Sequence, residues 1–334
     1  MNSKSFTALI IILYFLSITV LKKRHTRFDT TASSSLKGIL SILIILSHIN
    51  FHADLPIFLT ITAWGGTKVA LFFFISGYGL MASYLQKGAS YLDGFLFKRL
   101  WKVVKPLFIV TISFLLLYYL DTGTFKGDLL NELITKGMTP LPYSWFAYAI
   151  IVFYLFFFLA FKSGSNDMLK IFITFGLTLL VTLVMKEVGY DRAWWVSNLA
   201  FPLGLFFRYK EKVIISYSRT RFGNLALVPL LCFLVLALVL LKIEILYAFA
   251  YVLIVMMIMI LMSYVKLPSG PIFSTLGKVS YETYLIHGAV LTLLRGKHVY
   301  IMNGYLYLAT AIILTLILSI ITHSFFSGVN RKQS

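Results

Sequence analysis

The segment from Leu36 to Phe51, LKGILSILIILSHINF, is an apolar run with a lysine near its start and a histidine near its end. At about 100° per residue, the eleven positions from Lys37 to His48 bring the two side chains within about 20° of one another, roughly 16 Å apart along the helix. Ser41 and His52 fall near the same line. The segment therefore predicts a membrane-embedded helix that carries one polar stripe.

The composition excludes an ordinary soluble enzyme. The chain has 334 residues, of which 59% are hydrophobic and 13% charged, whereas soluble domains are about one quarter charged. A formal net charge of +18 raises the possibility of nucleic-acid binding. However, the basic residues are spread over loops between apolar runs, which is typical of a membrane protein, so we expect the lipid bilayer as a partner and no nucleic acid.

Apolar runs recur along the whole chain and predict an all-α, polytopic helical bundle of eleven spans. Several runs are shorter than the ~20 residues that cross a bilayer without help from flanking residues. The eleven runs are Phe6–Leu21, Leu36–Phe51, Val69–Leu85, Pro106–Leu120, Trp145–Phe161, Ile171–Met185, Trp194–Phe207, Leu225–Leu241, Ile245–Val265, Tyr281–Leu294 and Tyr305–Thr322.

The distribution of Lys and Arg predicts the orientation. Most of the 30 basic residues collect on one side if the N-terminus lies outside and the C-terminus in the cytoplasm. The cluster Lys22–Arg27 follows the first run and reads as the flank of a signal anchor. We therefore expect an anchor helix and basic linker over residues 1–32, one transmembrane domain over 33–325 and a short basic tail over 326–334, in a multi-pass protein of the plasma membrane.

Three further segments carry distinctive sequences: GTKVALFFFISGY at 66–78, FKRLWKVVKP at 97–106 and LGKVSYETYLIH at 276–287. Together with Lys37 and His48, their order resembles the membrane acyltransferase-3 family. Members of that family move acyl groups, usually acetyl, from a coenzyme A thioester to sugars of surface polysaccharides or related acceptors. The family's first motif is an Arg or Lys, ten residues and a His, and its core has ten spans, so the first run is an extra span.

The resemblance implies a mechanism. A neutral imidazole at His48 can take the proton from an acceptor hydroxyl as the hydroxyl attacks the thioester carbonyl. Lys37, Arg99 and Lys102 are placed to hold the phosphates of cytoplasmic acetyl-coenzyme A, although a lysine binds phosphate without the two-pronged geometry of arginine. The donor is a substrate, and we expect neither a permanently bound cofactor nor a metal.

The resemblance also includes Ser144-Trp145-Phe146 with Tyr154. Other residues of these segments are expected to have structural or substrate-positioning roles: Ser76, Trp145, Tyr154, Ser280, Tyr284 and His287. Because Ser280, Thr283 and Tyr284 share a helix face with His287, their hydroxyls are expected to hold its ring. A carboxylate partner for His48 is left open between Asp54 and Glu282. His52 and Lys68 are the remaining ionisable groups at membrane depth besides His48 and His287.

The sequence therefore predicts an integral membrane O-acetyltransferase that modifies a sugar or a cell-surface glycan precursor. No acidic residue falls near the middle of a predicted span, which argues against a proton- or ion-coupled transporter. The alternative is a glycan exporter or flippase of the same fold without acyl transfer. Pairing of Lys37 with His48 favours the enzyme, whereas a wide vestibule that opens to alternate sides would favour the exporter.

Overall fold

A computed structural model describes residues 28–49, 53, 55, 62, 64–125, 127–218, 220–265 and 267–331. These residues form thirteen α-helices and no β-strand, with one isolated bridge between Arg295 and Tyr300. The expected all-α class is confirmed. The helices are α1 Thr30–Ile49, α2 Gly65–Lys87, α3 Trp101–Thr122, α4 Leu129–Lys136, α5 Trp145–Lys162, α6 Asp167–Glu187, α7 Ala193–Val196, α8 Ala200–Ser218, α9 Arg221–Leu240, α10 Leu246–Met262, α11 Pro271–Lys278, α12 Ser280–Leu293 and α13 Gly304–Arg331.

Each predicted apolar run after the first overlaps at least one helix. The first run and the basic cluster that follows it lie outside the described residues. Among the described residues, six helices are long and apolar enough to cross a membrane, so the protein is membrane-embedded. They are Thr30–Ile49, Gly65–Leu92, Leu96–Thr122, Trp145–Lys162, Asp167–Glu187 and Gly304–Ser327. Two shorter apolar helices cover Leu230–Leu240 and Leu246–Met262. The count of eleven spans stays a prediction.

One predicted run, Trp194–Phe207, is not a single helix. The chain forms the short helix α7, breaks after Val196 and begins α8 at Ala200. Pro202 has no backbone N–H, so a continuous helix would leave the carbonyl four residues before it without a donor. The break allows the Ser197 hydroxyl to donate to the Gly66 carbonyl at 2.9 Å. Helix α8 then extends to Ser218, well past the predicted end of the run.

Local sequence signals explain several helix ends. The Asp29 carboxylate accepts a hydrogen bond from the Ala32 N–H at the start of α1. The Asn166 side chain likewise accepts from the Leu169 N–H at the start of α6. Helix α3 ends at Gly123, whose φ of 74° lies in the left-handed region. These residue types satisfy backbone groups that a helix end leaves without partners.

The chain divides into two compact units. Unit 1 comprises Met1–Ser33, Gly66–Lys98 and Val152–Pro268. Within unit 1, α8 packs against α6 and α10, and α10 also packs against α9. A Cβ atom on Gly77 of α2 would overlap the Phe201 carbonyl oxygen, and one on Gly204 of α8 would overlap the Phe74 carbonyl oxygen. These two glycines therefore let α2 and α8 approach to backbone contact.

Unit 2 comprises Ser34–Gly65, Arg99–Ile151 and Ser269–Ser334. Helix α12 lies at its centre and packs against α13 and α3. Most of the side chains of α12 are buried, whereas α3 exposes Phe108, Ile112 and Leu116 and α13 exposes Ile313 and Ile317. In a membrane protein such exposed apolar faces lie against lipid, so α12 belongs to the protein interior and α3 and α13 have lipid-facing sides.

Candidate active site

Two histidines that are distant in sequence lie side by side in unit 2. His48 is near the C-terminal end of α1, and His287 is near the middle of α12. His287 Nε2 lies 3.0 Å from His48 Nδ1, and the ring centroids are 5.0 Å apart at an interplanar angle of 27°. His287 is completely buried, whereas His48 is half-buried. The arrangement joins two imidazoles by one hydrogen bond at a protected position.

Tyr143 covers the ring of His48. The two ring centroids are 4.1 Å apart at an angle of 18°, which is a stacked arrangement. Tyr143 has a φ of 60°, a left-handed conformation that is uncommon for a residue other than glycine. Burial raises the pKa of the Tyr143 phenol, so the ring stacked on His48 is neutral.

The hydroxyl of Tyr284 holds the backbone around Tyr143. It donates to the Tyr143 carbonyl at 2.5 Å and accepts from the Phe146 N–H at 3.0 Å. The Phe146 ring also packs edge-on against Tyr284, at 5.2 Å. A Cβ atom on Gly288 would overlap the carbonyl oxygen of Pro142. Helix α12 thus fixes the segment that presents Tyr143 to His48.

Helices α1 and α11 meet at a pair of glycines. A Cβ atom on Gly38 would lie 2.8 Å from Leu276 Cβ, and one on Gly277 would overlap the carbonyl oxygen of Ser34. Helix α11 ends at Lys278 and α12 begins at Ser280; Val279 between them donates its N–H to the Thr275 carbonyl and accepts from the Thr283 N–H. The two helical paths therefore run in the same direction from the glycine contact to the imidazole pair.

The two paths have the same number of residues. His48 follows Gly38 by ten residues, and His287 follows Gly277 by ten residues. Ten residues of α-helix span about 15 Å. The ten-residue step from Gly38 to His48 thus separates two contacts of α1, and Lys37 lies one residue before the first of them.

The three expected donor-binding cations lie on α1, on α3 and on the segment that leads into α3. Lys37 precedes Gly38 and is half-buried. Arg99 lies in the π-helical segment Leu96–Leu100, which runs into α3, and Lys102 is exposed in the first turn of α3. The Tyr281 hydroxyl ties α12 to α3 by donating to the Val103 carbonyl at 2.8 Å. Helix α3 has no acidic residue in its first turn to neutralise these cations.

Two of the expected structural residues lie in unit 1. The Ser76 hydroxyl donates to the Phe72 carbonyl at 2.9 Å, one helical turn earlier. The Tyr154 ring lies 6.2 Å from the Phe95 ring and 6.3 Å from the Phe201 ring. Both side chains take part in helix packing within that unit. Lys68, also in unit 1, is buried near the start of α2.

The expected hydroxyl cradle around His287 differs in the structure. The Ser280 hydroxyl donates to the Gly277 carbonyl and the Thr283 hydroxyl to the Val279 carbonyl. Serine and threonine in helices commonly bond to a carbonyl three or four residues earlier, so these hydroxyls serve the helix backbone. His287 Nδ1 instead lies against the backbone carbonyl of Tyr284, at 2.5 Å.

Of the two carboxylates considered as partners for His48, the described residues include one, Glu282. Glu282 is buried and bonds to the Nδ1 of His323 on α13 at 2.9 Å, whereas Asp54 lies outside the described residues, as does His52. One partner that the structure gives to His48 is the imidazole of His287. Within the described ranges, no three His, Cys, Asp or Glu side chains come together as a metal site would require.

Sequence reasoning missed Tyr143 and Phe146 as site residues. Trp145, which it selected, begins α5 and is half-buried. Tyr143 stacks on His48, and the Phe146 N–H donates to the Tyr284 hydroxyl. The quoted segment Ser144-Trp145-Phe146 pointed to the right place. Nothing in the sequence distinguished the ring that faces the histidine from the ring beside it.

Comparison with known proteins shows which family the chain belongs to. No curated protein and no solved structure matches the chain. A family model described as an acyltransferase domain matches residues 32–324, a range that contains both imidazoles and all three cations. Since this match covers most of the chain, the protein is a membrane-embedded acyltransferase that belongs to the acyltransferase-3 family.

Proposed function

We propose that the protein moves an acyl group, most simply acetyl, from cytoplasmic acyl-coenzyme A to a hydroxyl of a sugar in a surface glycan or its precursor. The proposal is supported by the imidazole pair of unit 2, which lies about 16 Å along α1 from Lys37, and by the Tyr281 bond that holds α12 to the first turn of α3, where Lys102 lies. Coenzyme A has the matching shape, since its phosphates are separated from the thioester by a long, thin pantetheine arm.

His48 is the general base in this proposal. An alcohol is a weak nucleophile until its proton is removed, and a neutral imidazole that accepts the proton during attack accelerates acyl transfer by about 10²- to 10⁴-fold. The half-buried position of His48 suits this role better than that of His287, which has no exposed surface. The Tyr143 ring limits the directions from which a substrate reaches His48.

Lys37, Arg99 and Lys102 hold the phosphates of the donor. Charge-assisted hydrogen bonds from lysine and arginine to phosphate oxygens are among the stronger polar contacts in proteins. The Tyr281 bond to Val103 and the glycine contact between α1 and α11 bring the helices of these cations together. In the proposed topology this end of the bundle faces the cytoplasm of the cell, with the N-terminus outside the plasma membrane.

The test uses purified protein in lipid, labelled acetyl-coenzyme A and candidate glycans. Wild type should form labelled glycan, and the rate should fall on acidification because a protonated imidazole cannot act as a base. His48→Gln should lower kcat by about 10²-fold or more while donor binding is largely kept. His298→Gln is the matched control, because His298 is exposed and bonds to Asp121 instead of the site.

Two results would overturn the proposal. One is near-normal turnover by His48→Gln at matched expression. The other is transport of an unmodified glycan across the vesicle membrane by wild-type protein with no labelled product, which would identify an exporter.

A further inference from the structure

A backbone carbonyl is connected to His48 through the ring of His287. His287 Nδ1 lies 2.5 Å from the carbonyl oxygen of Tyr284, and His287 Nε2 lies 3.0 Å from His48 Nδ1. The three groups form a short chain of two hydrogen bonds. Its first member is fixed by the helical backbone of α12, and its last member is the proposed base.

The chemistry of the groups determines where the protons lie. A carbonyl oxygen only accepts hydrogen bonds, so Nδ1 of His287 must carry a hydrogen. A neutral imidazole has one N–H, which leaves Nε2 of His287 as an acceptor. The nitrogen that faces it, Nδ1 of His48, must then be the donor. In the neutral pair the lone pair of His48 is consequently on Nε2.

We propose that His287 is a positioning residue that fixes the tautomer of His48, so that Nε2 of His48 is the atom that receives the proton of the acceptor hydroxyl. This inference rests on the proposed acyl transfer and names the atom that performs it. The same logic operates where a second group holds a catalytic imidazole in the productive tautomer. Here the second group is an imidazole that is itself held by a backbone carbonyl.

The reaction balances with these groups. The acceptor hydroxyl gives its proton to His48 Nε2 while its oxygen forms a bond to the thioester carbonyl carbon. The carbon–sulfur bond then breaks, and the coenzyme A thiolate leaves and takes a proton from His48 Nε2–H. The products are an ester and a free thiol. During the step the imidazolium of His48 keeps its Nδ1–H directed at the acceptor nitrogen of His287.

The surroundings of the two rings are aromatic. Tyr143, from the segment before α5, stacks on His48 and lies 5.9 Å from the His287 ring. Tyr284 is on the same helix as His287, and Tyr148 of α5 and Tyr307 of α13 lie around these phenols. Arg295 packs against the Tyr307 ring, at 4.7 Å. Among the described residues, these contacts place phenols around the pair.

Two substitutions at position 287 separate tautomer control from packing. His287→Gln places an amide oxygen near the former Nε2 and keeps an acceptor for His48 Nδ1–H. His287→Leu fills similar space without an acceptor. We expect kcat to fall about 10²-fold in His287→Leu and about 10-fold in His287→Gln. The acid limb of the pH profile should move to lower pH in His287→Leu, because the imidazolium loses the acceptor of its Nδ1 proton.

A spectroscopic measurement tests the tautomer without activity. In full-length protein labelled with ¹⁵N-histidine, the His48 signals, identified by their loss in His48→Gln, should report a protonated Nδ1 and an unprotonated Nε2. His287→Leu should shift them towards a mixture of tautomers, and His298→Gln should leave them unchanged. Because this spectrum does not depend on acyl transfer, it can succeed where the proposed function fails.

Defined results would overturn the inference. A protonated Nε2 on His48 in the wild-type spectrum contradicts it directly. Equal losses of kcat in His287→Leu and His287→Gln with an unmoved acid limb would reduce His287 to a packing residue. Retention of wild-type kcat by His287→Leu would have the same meaning.

Discussion

The glycine contact between α1 and α11 makes Gly38→Ala a quantitative test of the site. The new Cβ atom would lie 2.8 Å from Leu276 Cβ and 3.0 Å from the Gly277 nitrogen. Carbon atoms in good van der Waals contact are about 3.5 to 4.0 Å apart, so the two helices must separate by at least about 0.7 Å. The free energy of unfolding should fall by about 1–3 kcal/mol, as is usual for overpacking.

The same displacement should disrupt the imidazole pair. The bond from His287 Nε2 to His48 Nδ1 is 3.0 Å long, and an added separation of about 0.7 Å would bring it to about 3.7 Å, beyond hydrogen-bond range. Because a misplacement of about 1 Å can cost 10²-fold in rate, we expect Gly38→Ala to lower kcat by about 10- to 100-fold with a smaller effect on donor binding.

The assay is acetyl transfer at saturating donor, with the amount of folded protein measured by size-exclusion chromatography and thermal unfolding. Gly79→Ala is the matched control, because a Cβ atom on this helical glycine meets nothing within 4 Å and alanine favours helices. Wild-type kcat in Gly38→Ala would refute the reasoning, since the helix contact would then not position the imidazoles. An equal loss in Gly79→Ala would refute it as well.

Two further predictions concern the cations and the topology. Arg99→Gln should raise the KM for acetyl-coenzyme A several-fold or more, and added salt should raise it further, while Lys136→Gln on exposed α4 should change neither; an unchanged KM in Arg99→Gln would reduce that residue to a topology signal. A cysteine placed at Lys212 in a Cys232→Ala background should be protected from an impermeant thiol reagent on intact cells, and one placed at Lys136 should react; labelling at Lys212 would invert the proposed orientation.

The fold class was predictable because apolar runs long enough for a bilayer have few alternatives to helices. The end of α8 was not predictable from hydropathy, since Arg208, Lys210 and Lys212 end the apolar pattern while the helix continues to Ser218. Arg208 bonds to Glu211 one turn later, and the Glu211 carboxylate accepts from the Tyr78 hydroxyl of α2 at 3.0 Å. These contacts extend a charged helix beyond the point at which hydropathy predicts a loop.

The sequence singled out His48 and His287 individually, but it gave neither Tyr143 nor the contacts among these residues. The spacing of Lys37 and His48 placed both on one helix face, and the later segment marked His287. Their bond depends on where α1 meets α11, which is a tertiary property. The partner of Glu282 could not be predicted from the sequence either, because His323 lies 41 residues away on another helix. A backbone carbonyl as the partner of His287 carries no sequence signal of its own.

The equal spacing in the two segments gives a physical reason for the fixed distance between the lysine and the histidine. Contact at Gly38 and Gly277 and the bond between His48 and His287 together hold the two paths in register. Adding one residue to either path would rotate its histidine by about 100° and move it by about 1.5 Å. The number of residues between Lys37 and His48 is therefore constrained by the two contacts that α1 makes, at Gly38 and at His48.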